Sequence, residues 1–483
     1  MGKDVIIIGG GANAVTAYTR IATAPGISSV TFVAPHPIGL GGAFGTTDPE
    51  LLCNTSVDVT SLDPEGPSGL LTYLTARGWP ATRDDFVPRY LVGQFCRERF
   101  REARATAQAR GTATHHLTAR AETVRRDEDR DEDRDEDRYT VRLDDGREVT
   151  GSDVLICLGL ERPRLPDQLR RHRGHPDLLP SPYPSRRLRE LPAGARVLLY
   201  GTKLSAIDAA LVLLAEDSGR SVVMTSPSGA LPAVRTRLCR PDKALLDTAR
   251  LLDLDPHSPH LDTRLARILL GALSRHAPRR GIRRQTSTAA DPAERLAEEL
   301  RLATTGAAAW QDVIAETIDT INEWASPWDR RTRADVLARH REPITRYISA
   351  IPAANARRLA AHHATGALEV AATLPRDVRP RPDGGWLVRW DDGPERHVDR
   401  IVCATGYHAP RLSWDSGGRL HLDGAGGTDA HITEDLRVTP GPAARPERIW
   451  AIGAAAHRRT PIVNYLRTAA IHAREVAARL THP

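Results

Sequence analysis

Short, nearly continuous apolar runs that end on glycine recur along the chain: DVIIIGGG (4–11), DVLICLGL (153–160), RVLLYGT (196–202), DRIVCATGY (399–407) and RIWAIGAA (448–455). A strand buried on both faces has no polar face to alternate with, so this pattern predicts parallel sheets covered by helices. Other stretches alternate with period two. AETVRR (121–126) pairs in pattern with RYTVRLDDG (138–146), and GGWLVRW (384–390) with ERHVDRIV (395–402), which predicts two hairpins. From about 232 to 365 the texture changes to helical periodicity rich in Ala, Leu and Arg, as in DTRLARILLGALSRHA (262–277) and WQDVIAETIDTINEWA (310–325). The Pro- and Arg-rich stretch 161–195 reads as a linker. No repeat of solenoid length is visible.

RDEDRDEDRDEDR (126–138) carries nine acids against four arginines and lies between the strands of the first hairpin. Dense charge resists burial and is readily solvated, so the tract is expected to be an expanded hairpin tip rather than a metal or partner site.

The length of 483 residues implies two or three domains, and 40% hydrophobic with 27% charged residues is a globular composition. No apolar run approaches about 18 residues, and the chain passes at once into DVIIIGGG, so we expect a cytoplasmic protein without a membrane partner. The five cysteines, Cys53, Cys96, Cys157, Cys239 and Cys403, are scattered and form no C-x-x-C pair, which argues against a disulfide framework or a dithiol centre. Net charge is +6, but Arg and acids are interspersed without a basic stripe, so no nucleic-acid partner is expected. His362 and His363 have no further ligand at metal spacing, and no metal site is assigned.

Gly9-Gly10-Gly11-Ala12-Asn13-Ala14 satisfies G-x-G-x-x-G/A between a strand and a helix. Gly9 makes the tight turn, Gly11 lets a pyrophosphate reach the backbone, Ala14 permits close helix packing, and the helix N-terminus stabilises phosphate charge. The strand SVTFVAP (29–35) should end in an acid for the adenosine ribose, yet Ala34 stands there, leaving NAD and FAD open on the fingerprint alone. A second glycine-rich loop, PIGLGGAFG (37–45), offers Gly41 and Gly42 as places where a cofactor approaches backbone.

A second fingerprint reads Gly201-Thr202-Lys203-Leu204-Ser205-Ala206, with the middle glycine replaced by one of only three lysines in the chain. Lys203 lays its ammonium beside a phosphate, obstructs the groove, or points into solvent; the sequence leaves these three open. The expected fold is therefore α/β, with two Rossmann-like dinucleotide-binding domains built on three-layer, mostly parallel sheets. Residues 1–195 and 396–483 would form the first domain, and 196–395 the second, carrying an all-helical insertion at about 232–365.

The fingerprint, LLCNTSVDVTSL (51–62), YGTKLSAIDAAL (200–211), SPSGALP (226–232), ATGY (404–407) and IWAIGAA (449–455) together resemble the FAD/NAD(P)-binding flavoproteins that include class B, N-hydroxylating monooxygenases. The resemblance spans most of the chain. It implies FAD on Gly9, Gly11, Asn13, Ala14, Gly41, Gly42, Asn54, Gly406, Gly453 and Asn464, and NADPH or NADH on Gly201, Lys203 and Ser205. Asn54 is either a flavin or substrate contact or an asparagine bonding a turn. Asn464 serves equally as a helix N-terminal residue. Related NADPH enzymes place Arg after the Ser of the SPSGALP-like segment; Pro227 stands here, with Arg235 as a possible substitute.

By this resemblance NAD(P)H reduces FAD, dioxygen adds to the reduced flavin, and a small amine or amino acid in secondary metabolism takes the oxygen atom. No side-chain nucleophile is expected, because the cofactor carries the chemistry. The alternative is a flavin-dependent amine or amino-acid oxidase or dehydrogenase with a degenerate second site; a third is a flavin-binding scaffold. Trp310, Trp324 and Trp328 either line a substrate pocket in the insertion or pack its core. Arg341, Arg346, Arg357 and Arg358 either hold a substrate carboxylate or sit on solvated helix faces.

Overall fold

The computed structural model describes residues 2–66, 69–127, 137–160, 162–215, 218–276 and 285–481. Two five-stranded parallel sheets organise it. The first runs Ile449–Ala451, Asp153–Ile156, Lys3–Ile8, Ile27–Val33, Ala113–Leu117 in spatial order. Its central strand is buried from Val5 to Ile8, which is why that run carries no polar alternation. Ile8 registers with Val33 on one side and Ile156 on the other, so Gly9 emerges at the carboxyl edge of the sheet. The helix Ala12–Ile21 starts there and packs against the last helix, Leu466–Thr481.

The second sheet runs Leu368–Ala371, Ser221–Thr225, Arg196–Tyr200, Arg400–Cys403, Leu178–Leu179. This corrects two expectations. Arg400–Cys403 pairs with Val197–Tyr200, so the ATGY strand belongs to the second sheet and the return to the first is made by Ile449–Ala451. The stretch read as linker supplies Leu178–Leu179 as an edge strand of that same sheet. Both sheets are parallel and doubly covered, so their strands have the same apolar pattern and the sequence does not say which sheet each joins.

Both predicted hairpins form. Ala121–Arg126 pairs antiparallel with Tyr139–Leu143, and Trp386–Arg389 with Arg396–Val398. The Asp127 N–H donates to the Arg138 carbonyl at 3.0 Å, closing the base of the acidic tract, whose residues 128–136 lie outside the described residues.

The insertion is built mainly of helices, among them Leu261–His276, Pro292–Thr304, Trp310–Ala325 and Arg330–Arg339. Asp291 caps one by accepting from the Ala293 and Glu294 N–H groups, with Pro292 at the first helical position; Asp329 caps another through Arg331 and Thr332. It is not wholly helical: Val234–Arg235 and Ile351–Pro352 form a short parallel pair at its base. The tryptophans serve the core. Trp310 packs on Tyr347 with ring centroids 5.1 Å apart, in the core of the second lobe, whereas Trp324 packs on Trp328 at 4.3 Å in the insertion's own core. Among the described residues no helix is long and apolar enough to cross a membrane.

Candidate functional site

At the carboxyl edge of the first sheet, Gly9 has φ +119°, and a Cβ there would lie 2.7 Å from the Cys157 carbonyl oxygen. Both the backbone angle and the space therefore require glycine. Gly11 caps the helix at φ −82°, an ordinary value, and a Cβ there would meet the Gly41 Cα at an ordinary 3.4 Å, so its glycine serves to keep the backbone open to a ligand. A Cβ on Gly41 would come within 2.6 Å of the Gly11 Cα: the two glycine-rich loops meet backbone to backbone, and the neighbouring Gly42 opens to solvent. No side chain caps this helix N-terminus. A bare helix end faced by a glycine loop suits a pyrophosphate, whose charge the first-turn N–H groups and the helix dipole stabilise.

The distant carboxy-terminal segment closes on this turn. Gly453, at φ +63°, sits so close to Asn13 that a Cβ would lie 2.2 Å from the asparagine Nδ2. The Gly453 N–H donates to His472 Nδ1 at 3.2 Å, while Nε2 of that ring faces the Thr460 hydroxyl at 3.1 Å. His472 is 4% exposed, and burial pushes its pKa down to about 4, so it stays neutral and can accept at Nδ1.

The second lobe repeats the device. Gly201 has φ +122° and a Cβ there would meet the Ala404 carbonyl oxygen at 2.5 Å, as Gly9 meets Cys157. The Gly201 N–H donates to Thr225 as that of Gly9 does to Val33. Lys203 stands where Gly11 stands, capping Leu204–Leu213 with φ −102° and ψ −168°, beside −82° and −169° at Gly11. The backbone thus tolerates lysine without strain. Its side chain is half-buried and has no hydrogen bond or ion pair among the described residues. Burial lowers its pKa; Glu342 opposes this, while Arg346 and Arg295 reinforce it. Lys203 therefore points toward the insertion rather than into open solvent, and Ser205 lies in the first turn of its helix.

Between the lobes, the segment holding Asn54 meets the start of the insertion. Ser56 Oγ accepts from the Leu238 N–H at 2.8 Å, and Asp58 from the Arg240 N–H at 2.9 Å. Arg235 donates to the Asn54 carbonyl and is fully buried. That corrects its expected role: enclosed against the first lobe, Arg235 does not replace the missing arginine beside the exposed Pro227. From the other side, the helix Trp310–Ala325 docks on the carboxy-terminal segment, where Asn322 bonds Ile462 through both its amide groups. Asn464 is exposed, two residues before the last helix begins at Leu466, while its neighbour Tyr465 is buried beside Val59 and Leu238. Sequence reasoning gave Arg235 a different role and missed Tyr465 at this junction. The four arginines of the insertion do not converge: Arg346 pairs with Glu299 at 2.7 Å, Arg358 with Glu50, and Arg341 and Arg357 are exposed. Gly406 follows the second-sheet strand Arg400–Cys403, and its carbonyl accepts from the Arg164 N–H at 2.9 Å.

Among the described residues no group of three or more His, Cys, Asp or Glu is placed to hold a metal ion. Residues 6–161 match the family described as FAD-NAD(P)-binding. No curated protein sequence matches the chain. In structure it is similar to the reduced form of ornithine hydroxylase from Pseudomonas aeruginosa (TM-score 0.60, 14% identity, covering 100% of this chain and 99% of that one). It is also similar to ornithine N-hydroxylase of Kutzneria sp. 744, solved with reduced FAD, NADP+ and L-ornithine (0.59, 15%, 99% and 99%). A third likeness is to the FAD-bound cadaverine monooxygenase of desferrioxamine biosynthesis from Erwinia amylovora (0.53, 15%, 100% and 95%). The chain has, along its whole length, the fold of these hydroxylases.

Proposed function

We propose that this protein is an FAD-dependent monooxygenase that uses NAD(P)H and dioxygen to N-hydroxylate a small amine or amino acid, as part of secondary metabolism. The observation that carries the reading is the pair of strand–turn–helix units at the two parallel sheets, one of them in the segment matching the FAD-NAD(P)-binding family, within a fold shared end to end with N-hydroxylating enzymes.

Gly9, Gly11, Asn13 and Ala14 with Gly41 and Gly42 form the cradle for the FAD pyrophosphate, and Gly453 closes it from the carboxy-terminal side. Asn54 and Asn464 stand at the ring end. Gly201, Lys203 and Ser205 form the NAD(P)H site, where the lysine charge takes over from close backbone contact. When bound, FAD supplies hydride acceptance and oxygen transfer; the protein orients the reactants and keeps water out. The buried junction of the 51–62 segment, the insertion and Tyr465 provides that exclusion.

Lys203 and Pro227 favour a second reading, an amine oxidase or dehydrogenase in which the substrate itself reduces FAD. Anaerobic mixing of the purified yellow protein with NADPH, NADH and a panel of diamines and amino acids separates the two. Bleaching by a pyridine nucleotide, followed in air by a hydroxylamine product, is the expected result. Bleaching by the amine alone establishes the oxidase, and a colourless protein that takes up no FAD would falsify both.

A further inference from the structure

Several enclosed arginines among the described residues have their charge answered; Arg235 does not. Arg448 is held by Asp153, Arg346 by Glu299 and Arg89 by Asp208. Arg333 has no carboxylate but spreads its charge over the carbonyls of Ala325, Ser326, Trp328 and Arg458. Arg235 is 1% exposed, donates to a single carbonyl, that of Asn54, and leaves Nε and Nη1 without an acceptor among the described residues. Taking a guanidinium out of water without a counter-charge is among the costliest arrangements a fold sustains.

Among the described residues no carboxylate pairs with Arg235. The adjoining cluster is apolar, formed by Val59, Leu238, Ala315, Ile318 and Tyr465, and the Tyr465 hydroxyl is likewise buried without a partner. Tyr465 is the titratable group that acts on Arg235. Asp319, Arg467, Arg240 and Asp58 act on Tyr465 in turn, but Asp319 is engaged by Arg467 and Asp58 by Arg83. Burial lowers the Arg235 pKa to about 9, with Tyr465 opposing, which leaves the group charged at neutral pH.

We propose that Arg235 is the counter-charge for the flavin ring in its reduced form. This rests on the FAD-dependent reading above. Hydride transfer breaks a C–H bond of NAD(P)H and forms an N–H bond on the flavin, moving two electrons and one proton and leaving NAD(P)+. A neutral ring thereby gains one negative charge unless a second proton follows. Asn54 and the 464–465 segment are the parts assigned to the ring end, and Arg235 is the fixed cation where they meet. Next to that apolar, water-excluding cluster the fixed cation stabilises the new charge, and the second proton is not taken up.

The test uses the full chain loaded with FAD, titrated potentiometrically without oxygen across about pH 6 to 9, where the pH dependence of the potential counts protons taken up per two electrons. The expected count is one for the parent and for Arg235→Lys, and two for Arg235→Met, with hydride transfer from NADPH slowed at least about tenfold in the latter. Arg235→Gln serves the same purpose if the Met variant does not fold. A count of two in the parent, or of one in both the Met and Gln variants, overturns the proposal while leaving the flavin reading intact. A chain that binds no FAD overturns both.

Discussion

His472 is a single side chain on which the closure of the first nucleotide site turns. Its neutral ring accepts from the Gly453 N–H, and Gly453 in turn presses on Asn13 in the first helix. Protonation would put a donor where an acceptor is needed and a charge where there is no water. Because burial lowers the folded-state pKa to about 4 from an ordinary 6.5, the unfolded chain binds the proton first. The contribution is fully present above pH 6.5 and is lost as pH falls toward about 4, amounting to about 3 kcal/mol at most. Melting temperature measured against pH should fall across that window, and His472→Gln should flatten the dependence. The glycines give a sharper contrast. Gly41→Ala drives a methyl against the Gly11 backbone and should cost about 1–3 kcal/mol together with most of the bound FAD, whereas Gly42→Ala meets open space and should leave stability unchanged while weakening FAD in the cradle it lines. Absorbance of bound flavin and thermal melts read the two side by side.

The strand–turn–helix unit is where sequence and structure agree most closely, and where the disagreements teach most. The first fingerprint was legible because Gly9 answers a local demand, a positive φ beside a carbonyl, that no other residue meets, and Gly11 leaves the helix end bare for a phosphate. Lys203 was legible as an exception but not as a solution, since only the backbone angles show that its position asks for no glycine. The placement of Arg400–Cys403 was not legible, because strands of either parallel sheet read alike. Nor was the unpaired burial of Arg235, one of 64 arginines once three lysines are taken from 67 basic residues; the sequence offers that residue only as a substitute for the arginine absent at Pro227. At this second unit, Lys203→Gly restores the glycine pattern yet should weaken NADPH binding roughly tenfold, the worth of one charge-assisted contact. In the parent, affinity should decline as pH rises through a lysine pKa lying below its ordinary value, since the ammonium must stay protonated. An unchanged dissociation constant in the glycine variant would assign the lysine to packing.

Across the whole molecule, the two lobes are joined by buried charge as well as by chain. Arg89, at the head of a first-lobe helix, pairs with Asp208 of the second-lobe nucleotide helix at 2.6 Å and also bonds the Leu52 carbonyl and the Tyr183 hydroxyl. Burial acts to lower the Arg89 pKa, but Asp208 and Tyr183 reverse this and raise it. Asp48 and Arg189 add a second link at 2.8 Å. Asp208→Asn strands the arginine and should cost about 3–5 kcal/mol, read as a lower denaturation midpoint in urea. Loss of less than about 1 kcal/mol would show that the lobes do not depend on this pair.

The edge position of Ile449–Ala451 in the first sheet also sets a timetable for synthesis. Its partner Asp153–Ile156 leaves the ribosome roughly 290 residues earlier, so at about 5–20 residues per second the nascent sheet waits on the order of 15 to 60 s with that edge bare. An unpaired apolar edge invites foreign strands, so chaperone demand should concentrate in that interval.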